Sequence, residues 1–217
     1  MRIKAEDEKE LYWGWGFENE LWNDGIKYVA GIDEAGRGAL CGPVVAAAVI
    51  FKSPFFGWEV IKDSKKLSAA KRLLSYLIII KNALCVSIGL ANSSEIDKIN
   101  IRNATHKAMI RAINSLAIKP EITAIDGNSI PTEGMNMLSV IKGDDKIISI
   151  AAASIIAKVY RDYIMTEYAK IYPGYGFEKH KGYPTEEHLQ KIKKNGLTPW
   201  HRKSFKDIKF MINNLFY

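Results

Sequence analysis

The sequence is poor in the features that mark secreted and membrane proteins. It contains only two cysteines, Cys41 and Cys85, whose spacing fits neither a disulfide framework nor a zinc site. The longest apolar run, Ile147 to Ala157, is far shorter than the ~20 residues needed to cross a bilayer. The N-terminal stretch MRIKAEDEKE is too acidic for a secretory signal or a transit peptide. We therefore expect free thiols in a reducing compartment, no membrane association and a cytoplasmic location.

Linkers, internal repeats and low-complexity tracts are also absent, so nothing divides the 217 residues into two large domains. The chain is 47% hydrophobic and 25% charged, which is typical of a globular protein that buries its own core. We expect a monomer that forms one structural unit. It would have three parts: a helical leader (1–27), an α/β domain (28–175) and a helical C-terminal extension (176–217).

Charge is distributed unevenly along the chain. The net charge is +7, and from Lys179 onward nine lysines and arginines stand against three acids. By contrast, the segment from Glu6 to Asp24 holds seven acids. A basic C-terminal third suits contact with a phosphate backbone. Because many soluble proteins carry a basic face that binds nothing, charge alone leaves nucleic-acid binding open.

Hydrophobic periodicity predicts an α/β domain around a mixed sheet. The predicted strands are Tyr28–Ile32, Val44–Phe51, Ala83–Leu90, Ile122–Ile125 and Leu138–Ile141. The predicted helices are Glu6–Asp24, Ser68–Ile80, Asn100–Leu116, Ile148–Tyr172, one from Thr185 to Asn195, and Phe205–Leu215. In open α/β sheets functional groups gather where strands end, so the residues that follow these strands are the candidates for a site.

Acidic residues follow three of these strands. Asp33 and Glu34 come after the first strand, Asp126 ends another, and Asp144 and Asp145 precede the long helix. Converging carboxylates bind hard cations such as Mg²⁺ or Mn²⁺, and two ions about 4 Å apart can stabilise both reacting oxygens of a phosphoryl displacement. Aspartate is also a common turn former and helix cap. Position alone therefore leaves a shared metal site as one of two readings.

The turn after the first strand, GIDEAGRGALCGP from Gly31 to Pro43, is more informative. Gly36 and Gly38 flank Arg37, so the backbone can approach a ligand closely. Arg37 adds a rigid fork of donors that suits phosphate, although it could instead pair with an acid in the turn. An Asp-Glu pair followed by Gly-Arg-Gly thus places metal ligands beside backbone groups that can inspect a sugar.

These residues resemble a known family. The stretch from Tyr28 to Ile50, YVAGIDEAGRGALCGPVVAAAVI, closely resembles the signature block of prokaryotic ribonuclease HII. Further blocks follow in the family's order: DSKKLSAAKR, AIDGN, IKGDDKIISIAAASIIAKVYRD, YGFEKHKGYPTEEH and HRKSF. The resemblance covers about residues 28 to 205. It implies a ribonuclease H-like fold, a five-stranded mixed sheet flanked by helices with a helical C-terminal extension that grips the duplex.

The resemblance also implies a set of site residues. The family's four metal-binding, catalytic carboxylates fall on Asp33, Glu34, Asp126 and Asp144, the last chosen over Asp145 because the family's acid directly follows Lys-Gly. The substrate-binding residues fall on Gly36, Arg37, Gly38, Lys65 and Tyr183. Of these, the Gly-Arg-Gly turn would read a 2′-hydroxyl, Lys65 would contact the backbone and Tyr183 would pack on the sugar.

The activity implied is metal-dependent cleavage of RNA–DNA hybrids, or of DNA duplexes that contain ribonucleotides, with two Mg²⁺ or Mn²⁺ ions. The intact Gly-Arg-Gly and the short leader favour type HII over HIII. Two competing hypotheses are a non-catalytic hybrid-binding module, which predicts a missing carboxylate, and another nuclease or integrase of the same fold. The tail from Phe205 to Tyr217 offers a segment for a replication factor, although packing against the domain is the expected role.

Three further expectations concern single residues. Lys158 and Arg161 suit either phosphate contacts or a solvated helix face. Cys41 departs from the family's more common alanine in the signature turn; the exchange is expected to be harmless because cysteine is small, with sensitivity of the thiol to oxidants as the alternative. Trp13, Trp15 and Trp22 are expected to pack, and His180 and His201 to form hydrogen bonds, rather than to bind ligands.

Overall fold

A five-stranded mixed sheet lies at the centre of the computed structural model, which describes residues 13–62, 64–131 and 136–215. Its strands are β1 (Val29–Ala35), β2 (Val44–Ile50), β3 (Cys85–Ala91), β4 (Ile122–Asp126) and β5 (Met137–Val140). The spatial order is β3-β2-β1-β4-β5; β1–β2 and β2–β3 are antiparallel, and β1–β4 and β4–β5 are parallel. The predicted sheet is confirmed, with β1 extending through both of its acids.

Helices cover both faces of the sheet. They are α1 (Gly16–Asn23), α2 (Ala69–Asn82), α3 (Ser93–Asn114), α4 (Ile148–Ile171), α5 (Phe177–His180), α6 (Glu186–Asn195) and α7 (Lys206–Leu215). Ser68 and Thr185 cap α2 and α6 as predicted, each accepting a backbone N–H three residues on. Helix α3 begins at Ser93, before the predicted start at Asn100, because Asn92 and Glu95 form a capping box. Asn100 is a kink with φ 65°, and its Oδ1 accepts the Asn103 N–H at 3.1 Å, so the second segment of α3 starts where the sequence predicts.

Strand β2 is buried on both faces, and its alternating residues divide the core in two. Val45 and Ala47 pack with α4, while Ala46 and Ala48 pack with α3. Small residues allow α4 to come very close to the sheet. A Cβ on Gly31 would lie 2.1 Å from the backbone carbonyl carbon of Ser149.

The leader contributes one short helix. Residues 6–12 of the predicted leader helix lie outside the described ranges. Residues 13–15 of that prediction are not helical, because Gly14 forms a parallel bridge with Ile147. Trp15 is buried against Phe51 and Phe55, with ring centroids 5.2 and 5.5 Å away. This confirms a packing role for that tryptophan.

The C-terminal helices have a small core of their own, which includes Leu40 from the Gly-rich turn, Ile192 of α6 and Ile208 of α7. Helix α7 therefore packs against the body of the protein, as expected for this tail. Over the described ranges, no helix has the length and apolar character that a membrane span requires.

Candidate active site

Three aspartates converge beside the paired strands β1 and β4. Asp33 lies in β1, Asp126 ends β4, and Asp144 lies in the turn that leads to α4. One carboxylate oxygen of each lies within 4.8 Å of the others. These strands are parallel neighbours, which explains how acids that are distant in sequence meet. Because Ile147 is the N-cap residue of α4, Asp144 is not that helix's cap.

Asp33 is the most constrained of the three. Its side chain is 3% exposed, and its Oδ1 accepts the N–H of Glu34 at 2.7 Å. Its Oδ2 is buried and has no hydrogen-bond partner among the residues that the structure describes. Burial raises the pKa of Asp33 well above its usual value, the charges of Glu34 and Asp126 raise it further, and the nearby Ser154 hydroxyl and the Glu34 N–H oppose the rise. A divalent cation would offset the cost of burying a charged carboxylate and would reduce the repulsion between neighbouring acids. The donor set therefore fits a hard metal ion.

The other two aspartates are held by local contacts. Asp126 Oδ1 accepts the backbone N–H of Gly143 at 2.7 Å, which joins the end of β4 to the turn that carries Asp144. Lys65 Nζ lies 3.8 Å from Asp144 Oδ2, so the lysine predicted to contact the nucleic-acid backbone lies at the edge of the aspartate cluster. Asp145 faces away, 41% exposed and paired with Lys66. The geometry thus separates Asp144 from its neighbour as the sequence motif did.

Glu34 flanks this cluster rather than joining it. Its Oε1 lies 3.3 Å from Arg37 Nη1. Burial raises the pKa of Glu34, the Arg37 charge and hydrogen bond oppose that rise, and the charge of Asp126 adds to it. The pairing of Arg37 with an acid of its own turn is therefore present. The Arg37 side chain is nevertheless 56% exposed and accessible to a ligand.

The Gly-rich turn and Tyr183 meet on the side chain of Arg161. Gly36 has φ +96°, and a Cβ there would lie 1.9 Å from Arg161 Nε. The Arg161 guanidinium carbon also lies 5.2 Å from the centroid of the Tyr183 ring. Gly38 is exposed, with open space where a side chain would be. Two predicted substrate-binding elements are thus brought together by a residue whose role the sequence did not reveal.

Both readings offered for Arg161 are wrong. The side chain is fully buried and donates to the carbonyls of Pro43 at 3.0 Å, Lys181 at 3.0 Å and Cys41 at 3.1 Å. Burial is the main cause that lowers its pKa. One signal was available, since Arg161 lies four residues from both Ala157 and Met165 on the buried stripe of α4.

The thiol of Cys41 is also buried. Burial raises its pKa to about 12, so the reactive thiolate is scarce at neutral pH. This argues against the oxidation that the sequence suggested.

Two buried histidines form a hydrogen-bonded chain that ends at the backbone carbonyl of Tyr183. The Thr198 N–H donates to His201 Nδ1 at 2.9 Å, so the proton of the neutral His201 ring lies on Nε2. That nitrogen is 3.2 Å from His188 Nε2, and His188 Nδ1 is 2.9 Å from the Tyr183 carbonyl oxygen. Protons placed in this way give a continuous chain of donors from Thr198 to Tyr183. These histidines hydrogen-bond, as expected, and burial lowers the pKa of each to about 4.

A mixed sheet of this order, with aspartates converging beside β1 and β4, defines a metal-dependent nuclease of the ribonuclease H type. A sequence model of the family described as Ribonuclease HII matches residues 30–208. The chain belongs to the ribonuclease HII family, and the resemblance seen in its motifs is confirmed.

Individual relatives agree with this assignment. The chain is 52% identical over 189 residues to a ribonuclease HII of Clostridioides difficile, covering 87% of this chain and 74% of the relative. Among solved structures, the ribonuclease H2 of Pyrococcus horikoshii is similar with a TM-score of 0.73 and 25% identity, over 87% of this chain and 98% of that one. The ribonuclease HII of Archaeoglobus fulgidus, solved in a complex with PCNA, has a TM-score of 0.70 and 26% identity, over 82% and 95%. The predicted fold class is confirmed.

Proposed function

We propose that the protein hydrolyses the phosphodiester on the 5′ side of ribonucleotides, both in RNA–DNA hybrids and in DNA duplexes that contain embedded ribonucleotides. The products would be a 5′-phosphate and a 3′-hydroxyl, and the activity would serve ribonucleotide excision repair and RNA primer removal. One observation carries the proposal. Asp33 of the aspartate cluster leads along the chain into the Gly-rich turn, and the Arg161 side chain contacts both this turn and Tyr183.

The four carboxylates would hold Mg²⁺ or Mn²⁺. Asp33 would be the central ligand, because its buried Oδ2 makes no hydrogen bond to any described residue. Asp126 and Asp144, each with an oxygen within 4.8 Å of one of Asp33, would be further ligands, with Glu34 completing the set. When bound, two ions would supply an activated water and stabilisation of the leaving oxygen.

The substrate would be read through the 2′-hydroxyl, the group that separates RNA from DNA. In the predicted Gly-Arg-Gly contact, Gly38 leaves open space for the backbone to approach the sugar, Gly36 makes room for Arg161 in the same turn, and Arg37 adds exposed donors. Tyr183, held against Arg161, would pack on the sugar at the junction. Lys65, beside Asp144, would contact the strand's phosphates. Because the Archaeoglobus fulgidus relative was solved with PCNA, contact of the C-terminal tail with a replication factor remains a secondary proposal.

The direct test uses a DNA duplex with a single ribonucleotide beside an all-DNA duplex, each incubated with Mg²⁺ or Mn²⁺. We expect cutting 5′ to the ribonucleotide and none in the control. Asp126→Asn should abolish turnover while duplex binding is retained. Asp145→Asn, the same substitution at an acid outside the cluster, should remain active. Full activity of the Asp126 variant would contradict the site.

The same assay separates the competing hypotheses. Binding without cleavage by the wild-type protein would indicate a non-catalytic hybrid-binding module. Cutting of the all-DNA duplex would indicate a DNA nuclease of the same fold.

A further inference from the structure

A polar cavity opens beside the aspartate cluster. Its volume is about 310 Å³, and Glu34 and Asp126 form the wall that it shares with the aspartate cluster. The rest of the wall comes from α3, from the Gly-rich turn and from the residues after β4. The lining residues with donor groups are Arg37, Arg102, Thr105, His106, Asn128 and Ser129.

The cavity also carries two cationic side chains: Arg37, which pairs with Glu34, and Arg102. Burial is the main cause that lowers the pKa of His106, and the charges of Arg102 and Arg37 lower it further. Both arginines line the same cavity as His106. Its Nε2 is 3.0 Å from Ser129 Oγ, which ties α3 to the segment after β4.

Thr105 supplies an independent sign of a ligand. Its side chain lines the cavity, is 3% exposed, and its hydroxyl makes no hydrogen bond within the described ranges. A buried hydroxyl without a partner costs about 1–3 kcal/mol, so such groups usually bind something. An acceptor oxygen bound in the cavity would satisfy it, and Arg102 lines the same cavity. Arginines together with hydroxyl and amide donors form the chemistry that recognises phosphate.

We propose that this cavity binds the phosphate next to the scissile one in the cleaved strand, with Arg102 and Thr105 as its donors. The inference rests on the proposed function and deepens it. Because Glu34 and Asp126 belong both to the cavity wall and to the proposed metal site, a phosphate bound here is a close neighbour of the reacting one. The contact fixes the register of the strand and carries no information about base sequence.

The first test compares Arg102→Gln and Thr105→Val with Lys98→Gln, which removes an exposed charge from the same helix outside the cavity. Affinity for the ribonucleotide-containing duplex is measured against salt in an Asp144→Asn background, so that binding is seen without turnover. We expect Arg102→Gln to weaken binding roughly five- to tenfold and to flatten the salt dependence by about one unit of slope. Thr105→Val should weaken binding by roughly threefold, and Lys98→Gln by less than twofold.

A second test identifies the source of the phosphate. A neutral methylphosphonate is placed on either side of the scissile phosphate in turn. At one position the wild-type protein should lose about the same affinity as Arg102→Gln does, while Arg102→Gln loses nothing more, because the pair is already broken. In parallel, inorganic phosphate is titrated against the imidazole resonances of His106. A response to inorganic phosphate without coupling at either methylphosphonate would mean a site for free phosphate, which overturns the inference.

The failures of the two proposals are distinguishable. If Arg102→Gln binds as Lys98→Gln does while the wild-type protein still cuts at the ribonucleotide, only this inference is overturned. If the wild-type protein does not cut at the ribonucleotide, both are overturned.

Discussion

Asp33 holds a position that a soluble fold would not choose for stability. The carboxylate is buried in a strand with one oxygen unpaired, and two other acids lie beside it. Such a group lowers the free energy of unfolding until a cation compensates it. The site is therefore preorganised for a cation at the expense of the metal-free protein.

Replacing this carboxylate should stabilise the metal-free protein. We expect Asp33→Asn to raise the free energy of unfolding by about 1–3 kcal/mol in EDTA, because a neutral amide removes both repulsion and ion desolvation. This corresponds to a rise in Tm of roughly 2–4 °C per kcal/mol for a chain of this size. Turnover should be lost. Thermal unfolding with and without MnCl₂ measures the effect.

The matched control is Asp145→Asn, at an exposed acid that pairs with Lys66. Mn²⁺ should raise the Tm of the wild-type protein and of this control, and should leave Asp33→Asn nearly unchanged. A metal-free Asp33→Asn protein that is less stable than the wild type would show that the carboxylate is satisfied without a cation.

The sequence predicted the acids well and the buried bases poorly. Asp33, Asp126 and Asp144 carry local signals, since each ends or follows a strand and lies in a distinctive motif. Arg161 has carbonyl partners far along the chain, and the partners of a buried guanidinium depend on tertiary structure. His188 and His201 present the same difficulty, because the Thr198 N–H sets the tautomer of His201, and His201 in turn sets that of His188.

Among the elements, the leader helix completes the N-terminus of the central helix. Helix α4 begins after Ile147, which offers no side-chain cap. Glu18 of α1 takes that place, its Oε1 accepting the N–H of Ser149 at 2.9 Å in a buried setting. Burial raises the pKa of Glu18, and the hydrogen bonds from Ser149 oppose the rise. The leader thus stabilises the helix that carries Arg161.

Removing this cap should destabilise the protein more than neutralising it. Glu18→Ala leaves the Ser149 N–H buried without an acceptor, and we expect a loss of about 1–2 kcal/mol. Glu18→Gln keeps an acceptor oxygen. Because the folded-state pKa lies above the ordinary 4.5, the contribution of Glu18 is fully present below pH 4.5 and is lost as pH rises through the raised pKa.

Urea unfolding at pH 5 and pH 8 tests this sign. The stability of Glu18→Gln relative to the wild type should increase from pH 5 to pH 8. Glu20→Gln, at an exposed acid of the same helix, should follow the wild type at both values. A relative stability that falls with pH would mean that the charge itself supports the cap through the helix dipole.

Element boundaries were predicted less well than the elements themselves. Helix α3 was placed from Asn100 because its clear apolar spacing begins there, yet the capping box at Asn92 and Glu95 starts it earlier. The kink at Asn100 interrupts the apolar periodicity of α3. The sequence therefore predicts a helix after the kink and none before it. Residues 13–15 read as helix because their aromatic spacing continues that of α1, although Gly14 pairs with Ile147.

At the scale of the whole molecule, buried arginines link the C-terminal segment to the Gly-rich turn between β1 and β2. Arg202 Nε donates to the Gly42 carbonyl at 2.9 Å, and its Nη1 donates to the Arg37 carbonyl at 2.9 Å. Arg161 makes the reciprocal contact, from α4 to the Lys181 carbonyl. The Gly-rich turn is thus held between the two segments that were expected to form one structural unit, an expectation that a single cooperative unfolding transition would test.

This arrangement makes the whole protein sensitive to acid through His188 and His201. An exposed histidine titrates near pH 6.5, whereas burial lowers the pKa of each of these two to about 4. Their stabilisation is fully present above pH 6.5 and is lost as pH falls towards 4, since unfolding then takes up protons. The slope contributed is at most about 1.4 kcal/mol per pH unit for each histidine.

We therefore expect wild-type stability to fall between pH 6.5 and pH 4.5 more steeply than that of His188→Gln or His201→Gln, as measured by urea unfolding. At pH 7.5 both variants should also raise KM for a single-ribonucleotide duplex more than they lower kcat, while the aspartate cluster is untouched. His188→Gln removes the ring that donates to the Tyr183 carbonyl, and His201→Gln removes the donor that fixes the His188 proton on Nδ1. The double variant should add little to either single one, because the two rings act as one chain of donors. Additive losses, or a kcat effect alone, would show that these histidines only fill the core.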